Sequence, residues 1–381
     1  MGSTPLTLAA LATSAVADLL VSGARRHTLN GDGAFTSGVV ASDRGELIVR
    51  VPRSTQAESL QAAEVLGLSA LTPGARAALP VELPETLGQT RAGNTRAVVS
   101  TFLPGSFFTA EDLADDALLL QPIAETLAAI HSLPQSLIRD AGLRVASAAE
   151  TRAEVARLVD RAIATRLVPS TVAERWQLML ESAELWRFEP VVVHGTMAAE
   201  RFLVQSDRVT GVLGWSGLAI GDPAEDFAWL SACGEDVLEG VLARYAAKRG
   251  LGDRDRLRAR ALFLHELEVA RWLLHGVERR DQEVIDDAVT MLDRLVDRLS
   301  YLPQPLARRE SLNVSQVSDL LDESDRAAQA APRRDESPYP ADEQLLFPET
   351  DLIEPLPDDL LPNADRTSSF ADDTFGTPPE R

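Results

Sequence analysis

Residues 191 to 230 read VVVHGTMAAERFLVQSDRVTGVLGWSGLAIGDPAEDFAWL, and this stretch decides the fold. A run of apolar residues leads into His194-Gly195 and predicts a strand that ends at a loop. Two more apolar segments, Phe202–Val204 and Val209–Leu213, flank a polar turn and predict a hairpin. A Gly-Asp-Pro motif at 221–223 then opens a predicted helix that carries Asp226.

The sequence ahead of this stretch predicts a β-rich lobe. A helix over Leu6–Leu20 precedes three strands around residues 24–29, 34–41 and 46–52. The turns between these strands contain Gly with Asn or Asp, which favours hairpins. A helix follows over Thr55–Leu71, with Leu60, Leu66 and Leu68 in its apolar set, and a strand over Arg96–Phe102 comes next.

Downstream of this lobe the sequence predicts mostly helices, around residues 118–131, 149–168, 172–185, 236–249, 254–277 and 282–299. We therefore predict an N-terminal β-rich lobe over residues 1–102 and a helical lobe over 103–303 that contains the core stretch 191–230. Residues 304–381 are acidic and rich in proline without helical periodicity, which predicts a disordered tail.

Charge and cysteine content limit the classes of partner. The chain has 381 residues and a formal charge of −21, which argues against nucleic acid and anionic membranes as partners. From residue 305 onward there are 18 acidic and 7 basic residues, a charge of −11, which leaves −10 for the rest. Cys233 is the only cysteine, so no intrachain disulfide can form, and we expect a cytoplasmic location. The apolar run near the N-terminus includes Asp18 and reads poorly as a membrane span or signal peptide.

The motifs His194-Gly195, Gly-Val-Leu-Gly-Trp at 211–215 and Gly-Asp-Pro-Ala-Glu-Asp at 221–226 resemble the core of the aminoglycoside and macrolide phosphotransferases. This family is related to the protein kinases, and the resemblance extends over about residues 24–303. It implies an α+β fold with two lobes, a small β-rich N-lobe and a mainly helical C-lobe. It also implies that ATP or GTP is the phosphoryl donor.

Three positions depart from the family's pattern. The family's base aspartate falls on Thr196, its metal-binding asparagine on Arg201 and its metal-binding aspartate on Gly214. A threonine hydroxyl is not a base at neutral pH. Magnesium needs oxygen ligands, which neither Gly214 nor Arg201 supplies through its side chain. The sequence therefore argues against a magnesium site, although the Arg201 guanidinium could neutralise nucleotide phosphates directly.

The resemblance also implies nucleotide contacts outside the core stretch. Arg50, on the third strand, matches the cation that touches the phosphates, and Glu64 on the following helix is its expected ion-pair partner. Leu103-Pro104-Gly105 resembles the hinge between the lobes, where the backbone faces the base.

Five core residues have structural roles by resemblance. His194 is expected to brace the loop, Trp215 to pack, and the two acids to cap and brace the helix after Gly-Asp-Pro; the full set is His194, Gly195, Trp215, Asp222 and Asp226.

The residues leave three functions open. The first is a pseudokinase with little or no phosphoryl transfer that binds a nucleotide, a small molecule or a protein. The second is an active ATP- or GTP-dependent O-phosphotransferase acting on a macrolide or an aminoglycoside. The third is an interaction scaffold that binds a protein partner through the acidic tail. Magnesium-dependent turnover would distinguish the second, and tail-dependent capture of a partner the third.

Overall fold

The computed structural model describes residues 5–27, 33–115, 117–252 and 254–301. The chain divides into the units Met1–Leu306 and Ala307–Arg381. The tail predicted from residue 304 onward lies outside the described residues. No helix within the described ranges is both long and apolar enough to span a membrane.

The N-terminal part forms a five-stranded antiparallel sheet with the order β1-β2-β3-β5-β4. Its strands are β1 (Val21–Arg26), β2 (Phe35–Ser42), β3 (Gly45–Pro52), β4 (Thr86–Ala92) and β5 (Thr95–Thr101). The first helix, α1 (Pro5–Ala15), packs on one face through Leu8 and Ala12, which join a cluster with Val40, Leu47 and Val99. The sequence did not predict β4, because its residues, TLGQTRA, lack an apolar alternation.

The helix α2 (Thr55–Ala70) begins at Ser54, whose hydroxyl accepts a hydrogen bond from the Ala57 N–H. The predicted apolar set is wrong in part, because Leu60 and Leu66 are each 48% exposed. Leu68 is buried as predicted, but the other buried residues are small or polar, and they are Ala57, Gln61, Gly67 and Ala70. Small side chains let α2 approach its neighbours closely, and the Gln61 amide donates to the Arg96 carbonyl on the sheet.

The C-terminal part is mainly helical and has its own large cluster of buried apolar side chains, among them Trp176, Tyr245 and Phe263. The short α3 (Pro73–Ala77) lies before β4 in the chain. The remaining helices are α4 (Ala110–Asp115), α5 (Leu120–Ile130), α6 (Ser136–Asp140), α7 (Ala148–Ala164), α8 (Ser170–Glu181), α9 (Glu235–Arg249), α10 (Asp255–Arg279) and α11 (Gln282–Tyr301). This cluster also includes apolar residues of the N-terminal part, from Leu68 to Leu83.

The core stretch forms two small antiparallel ladders. They are β6 (Val191–Val193) with β9 (Ala219–Gly221), and β7 (Phe202–Gln205) with β8 (Arg208–Val212). The predicted helix after Gly-Asp-Pro is instead a 3-10 turn over Pro223–Asp226, continued by another over Ala228–Cys233. Asp222 caps the first turn by accepting the Ala224 N–H at 2.9 Å.

Gly67 lets α2 contact the 3-10 turn Trp215–Gly217, which follows Gly214. A Cβ at Gly67 would lie 2.4 Å from the Trp215 carbonyl oxygen. We expect Gly67→Ala to lower the free energy of unfolding by about 1–3 kcal/mol, because backbone must move to relieve the overlap. Gly74→Ala is the matched control, since a Cβ there meets nothing within 4 Å. Urea unfolding of both variants measures the difference, and equal stabilities would contradict the expected close contact.

Candidate functional site

A cleft of about 940 Å³ lies between the sheet and the core stretch. Six of the residues selected from the sequence line it, namely Arg50, Glu64, Leu103, Gly105, Arg201 and Gly214. The other six are not among the lining residues, namely Thr196, His194, Gly195, Trp215, Asp222 and Asp226. The structure therefore separates the selected residues into a cleft set and a supporting set.

Glu64 joins the two sides of the cleft. One carboxylate oxygen, Oε2, lies 2.7 Å from Nη1 of Arg50, so the predicted ion pair forms. The other, Oε1, accepts the Gly214 backbone N–H at 3.2 Å, a bond that the sequence did not indicate. The pair is largely buried, with 13% of the Glu64 side chain exposed. Glu64 thus fixes both the Arg50 guanidinium and the loop at Gly214, and a nucleotide-binding role for the pair stays a prediction.

Arg201 occupies the space beside Gly214. Gly214 has φ 82° and ψ 44°, in the left-handed region that favours glycine. A Cβ at this position would lie 2.8 Å from Arg201 Cδ and 3.0 Å from both Nε and Nη1. The backbone next to Gly214 is also bonded to Arg201, because the Leu213 N–H donates to the Arg201 carbonyl at 2.8 Å. The two positions that the resemblance assigns to the family's metal ligands are therefore adjacent, and the Arg201 side chain fills the space beside Gly214.

Thr196 holds a loop in place and lies outside the cleft lining. Its hydroxyl donates to the Gly214 carbonyl at 2.9 Å. The side chain is exposed, yet this bond connects the loop after β6 to the loop after β8. A hydroxyl that donates here has no basic group to offer a substrate alcohol.

His194 is fully buried beneath this loop. Its Nε2 lies 3.1 Å from the Leu213 carbonyl, so this nitrogen carries the ring proton. Burial lowers the pKa of His194, against the raising effect of Asp226, and the ring is therefore neutral. The ring packs edge-on against Trp215 with centroids 4.7 Å apart. These contacts agree with the predicted bracing role of His194 and packing role of Trp215.

Asp226 braces the loop, whereas the sequence predicts that it braces the following helix. Its carboxylate accepts the His194 N–H at 2.7 Å and the Gly195 N–H at 2.8 Å. His131 donates through Nε2 at 3.1 Å and bonds Tyr245 through its other ring nitrogen. Burial by itself raises the pKa of Asp226, but the hydrogen bonds from His131 and from the Gly195 N–H hold it below its usual value.

Asp222 also accepts a hydrogen bond at each of its carboxylate oxygens. Besides capping Ala224, it accepts Nε of Arg260 at 2.7 Å, and both side chains are buried. Arg260 lies on α10, more than thirty residues away, and the sequence did not single it out. The ion pair therefore attaches the Gly-Asp-Pro turn to α10 and leaves Asp222 turned away from the cleft.

The cleft lining carries more positive than negative charge. Four arginines line it, Arg26, Arg50, Arg53 and Arg201, against two glutamates, Glu64 and Glu200. Arg26 and Arg53 were missed in the sequence. The motif Val-Arg-Val-Pro-Arg at 49–53 could have identified Arg53, because it is the arginine next to the strand that carries Arg50.

The described residues do not fit a magnesium ion. No group of three or more His, Cys, Asp or Glu side chains gathers in them to hold a metal. Asp222 and Asp226 are saturated by buried partners, and Glu200 is exposed beside a guanidinium. The cleft therefore offers cations where the family's metal ligands are expected.

The residues do fit a nucleotide. Among the described residues the backbone N–H and C=O of Leu103 have no hydrogen-bond partner, so a base edge can use both. Gly105 has φ 151°, and a Cβ there would lie 2.9 Å from Leu203 Cβ, so only glycine allows this close packing. Aromatic rings of Phe35, Phe102 and Phe107 line the same cleft. A planar base and an anionic phosphate chain suit this combination of apolar, backbone and cationic groups.

Comparison with known proteins places the chain in a family. A family model described as phosphotransferase enzyme family (APH) matches residues 29–262, more than half of the chain. Uncharacterized protein YcbJ of Bacillus subtilis (strain 168) is 27% identical over 210 residues, which cover 52% of this chain and 67% of that protein.

Two solved structures show the same fold. The macrolide 2'-phosphotransferase MphH from Brachybacterium faecium, as the apoenzyme, has a TM-score of 0.62 at 21% identity, covering 76% of this chain and 97% of that chain. The GDP and kanamycin complex of APH(2")-IIia has a TM-score of 0.62 at 21% identity, covering 78% of this chain and 100% of that chain. The predicted two-lobe, kinase-like α+β fold is confirmed, and the match over residues 29–262 shows that the chain belongs to the phosphotransferase enzyme family.

Proposed function

We propose that this chain is a pseudokinase that binds ATP or GTP in the cleft and transfers little or no phosphoryl group. One observation carries the proposal. The Arg201 guanidinium packs against Gly214 at the two positions where the family's metal ligands are expected. Nucleotide binding is supported by the free Leu103 backbone and the arginine-rich lining, and one structure of the same fold contains GDP.

Phosphoryl transfer depends on positioning, on positive charge at the phosphates and on an acceptor for the hydroxyl proton. In this chain Arg50 and Arg201 can bind and orient phosphate oxygens. At the position expected for the base, Thr196 donates its proton to Gly214, and Asp226 is buried under the loop, so neither can accept a substrate proton. A bound nucleotide would therefore be held without an activated acceptor.

The proposal also covers which molecules this chain binds besides a nucleotide, and where it does so. The structures of the same fold include a macrolide phosphotransferase and a kanamycin complex, so a small molecule of either kind is a candidate second ligand. The charge of −11 from residue 305 onward favours a protein partner for the tail. A cytoplasmic location agrees with the single cysteine.

Calorimetric titration of the full chain with ATP and GTP, together with a search for phosphorylated product, tests the proposal. We expect saturable binding of at least one nucleotide and no phosphorylated macrolide or kanamycin by mass spectrometry. Phosphorylated product that requires magnesium would establish the active phosphotransferase instead. If neither nucleotide binds, the proposed function is wrong, and capture of a protein through the tail becomes the leading alternative.

A further inference from the structure

We infer that Arg201 replaces the divalent ion of this fold, so that the cleft binds a nucleoside triphosphate in its metal-free form and magnesium weakens that binding. The inference rests on the proposed nucleotide binding and adds the ionic form of the ligand. It follows from the disagreement between the family's metal requirement and the residues that are present.

The first step is steric. The Arg201 side chain lies within 2.8–3.0 Å of the point where a Cβ at residue 214 would stand. A metal ligand at 214 and the present Arg201 conformation therefore exclude one another. Hydrogen bonds fix the backbone around this space. Glu64 accepts the Gly214 N–H, and the Arg201 carbonyl accepts the Leu213 N–H.

The second step is charge. Within the described residues, Arg26, Arg53 and Arg201 have no ion-pair partner, while Arg50 shares Glu64. These guanidinium groups face one cleft in a chain whose formal charge is −21. Like charges in a concave site repel each other and attract an anion, and they oppose entry of a divalent cation.

The third step is the set of unused donors. Nε of Arg201 and Nε of Arg50 are buried and have no hydrogen-bond partner among the described residues. A buried donor without an acceptor is unfavourable, so an acceptor that reached either nitrogen would be stabilising. Guanidinium donors match phosphate oxygens in geometry and charge, and both arginines line the cleft.

These steps predict an inverted response to magnesium. Free ATP presents the full charge of its phosphates, whereas magnesium covers part of that charge and occupies the oxygens that Arg201 would bind. A guanidinium site therefore prefers the metal-free nucleotide. A site made of carboxylates has the opposite preference, because there the metal bridges two sets of anions.

The test is titration of the full chain with ATP in EDTA and in excess magnesium. We expect the Kd to be lower in EDTA, by on the order of tenfold. In EDTA, Arg201→Ala should raise the Kd roughly ten- to hundredfold through loss of a charge-assisted contact. Arg201→Lys should fall between the two, because it keeps the charge and loses the planar fork.

The matched control is Arg208→Ala, an exposed arginine on β8 that does not line the cleft. We expect its Kd to stay unchanged, and circular dichroism checks that each variant is folded. Inorganic tripolyphosphate is a second probe, expected to bind more weakly than ATP and to show the same loss in Arg201→Ala.

The outcomes separate the two proposals. ATP binding that requires magnesium, or that is indifferent to Arg201→Ala, overturns this inference and leaves nucleotide binding intact. Absence of ATP and GTP binding in both buffers overturns the proposed function as well.

Discussion

The triple variant Thr196→Asp, Arg201→Asn, Gly214→Asp is expected to bind ATP more tightly with magnesium than without it, by roughly tenfold or more. The parent chain is expected to show the opposite sign. The reason is that the changes at 201 and 214 replace a guanidinium and a glycine by an amide oxygen and a carboxylate, which are ligands for a hard cation, while the change at 196 supplies the family's base. The experiment therefore measures whether magnesium raises or lowers the affinity for ATP.

The combination of changes matters, because residues 201 and 214 contact each other. Gly214→Asp alone would place its Cβ 2.8 Å from Arg201 Cδ, so the arginine must shift, and the new carboxylate beside the guanidinium forms an ion pair more readily than a metal site. We expect that single variant to show no gain with magnesium. The pair Arg201→Asn with Gly214→Asp is the smallest set expected to gain it. Aspartate tolerates the left-handed backbone at 214 better than most residues do.

Calorimetry with ATP, in EDTA and in magnesium, measures all three variants. Thr196→Asp alone is the control, because it adds a carboxylate outside the residues that line the cleft and leaves Arg201 in place. If the triple variant and the parent respond to magnesium alike, the alignment of residues 196, 201 and 214 with the family's functional positions is wrong.

Asp226→Ala is expected to cost about 3–5 kcal/mol of the free energy of unfolding, the largest loss predicted for a single change in this chain. The carboxylate accepts two backbone N–H groups, from His194 and Gly195, and a ring N–H from His131. Removal would leave these buried donors without an acceptor. The loop after β6 would then lose its support, and Thr196 would lose its fixed position beside Gly214.

Urea unfolding of the parent and of Asp226→Ala measures this loss. Asp226→Asn keeps the volume but can accept at only one end, so we expect a smaller loss, of about 1–3 kcal/mol. Asp160→Ala removes an exposed aspartate on α7 and is expected to change stability by less than about 0.5 kcal/mol. Equal losses in Asp226→Ala and Asp160→Ala would show that the buried network does not stabilise the fold.

Acid should remove part of the contribution of Asp226. Because the pKa of Asp226 is lowered in the folded chain, the ionised carboxylate stabilises the fold above its ordinary pKa of 3.8. This contribution is lost as the pH falls through the folded pKa. The stability difference between parent and Asp226→Ala should therefore be largest near neutral pH and shrink in strong acid.

Several predictions followed from local pattern alone. The strands β6 to β8 arise from apolar runs broken by polar turns, and β1 to β3 follow from their Gly-containing hairpins, whereas β4 lacks such a pattern. The Arg50–Glu64 pair could also be predicted, because the resemblance to the family assigns both residues before any distance is known. The apolar set of α2 could not be predicted, because close contact with Trp215 selects Gly67 for the buried face and leaves Leu60 and Leu66 exposed.

The fold and the family motifs could be read from the sequence alone, since residue identity and spacing carry that information, and the resemblance to the family implies replacements at 196, 201 and 214. Only the tertiary structure decided what those replacements do. It showed that the Arg201 side chain fills the space beside Gly214, that Thr196 gives its proton to the Gly214 carbonyl, and that Asp226 supports the loop. These facts depend on distances between residues far apart in the chain, and hydrogen bonding and packing fix such distances only once the two lobes have formed.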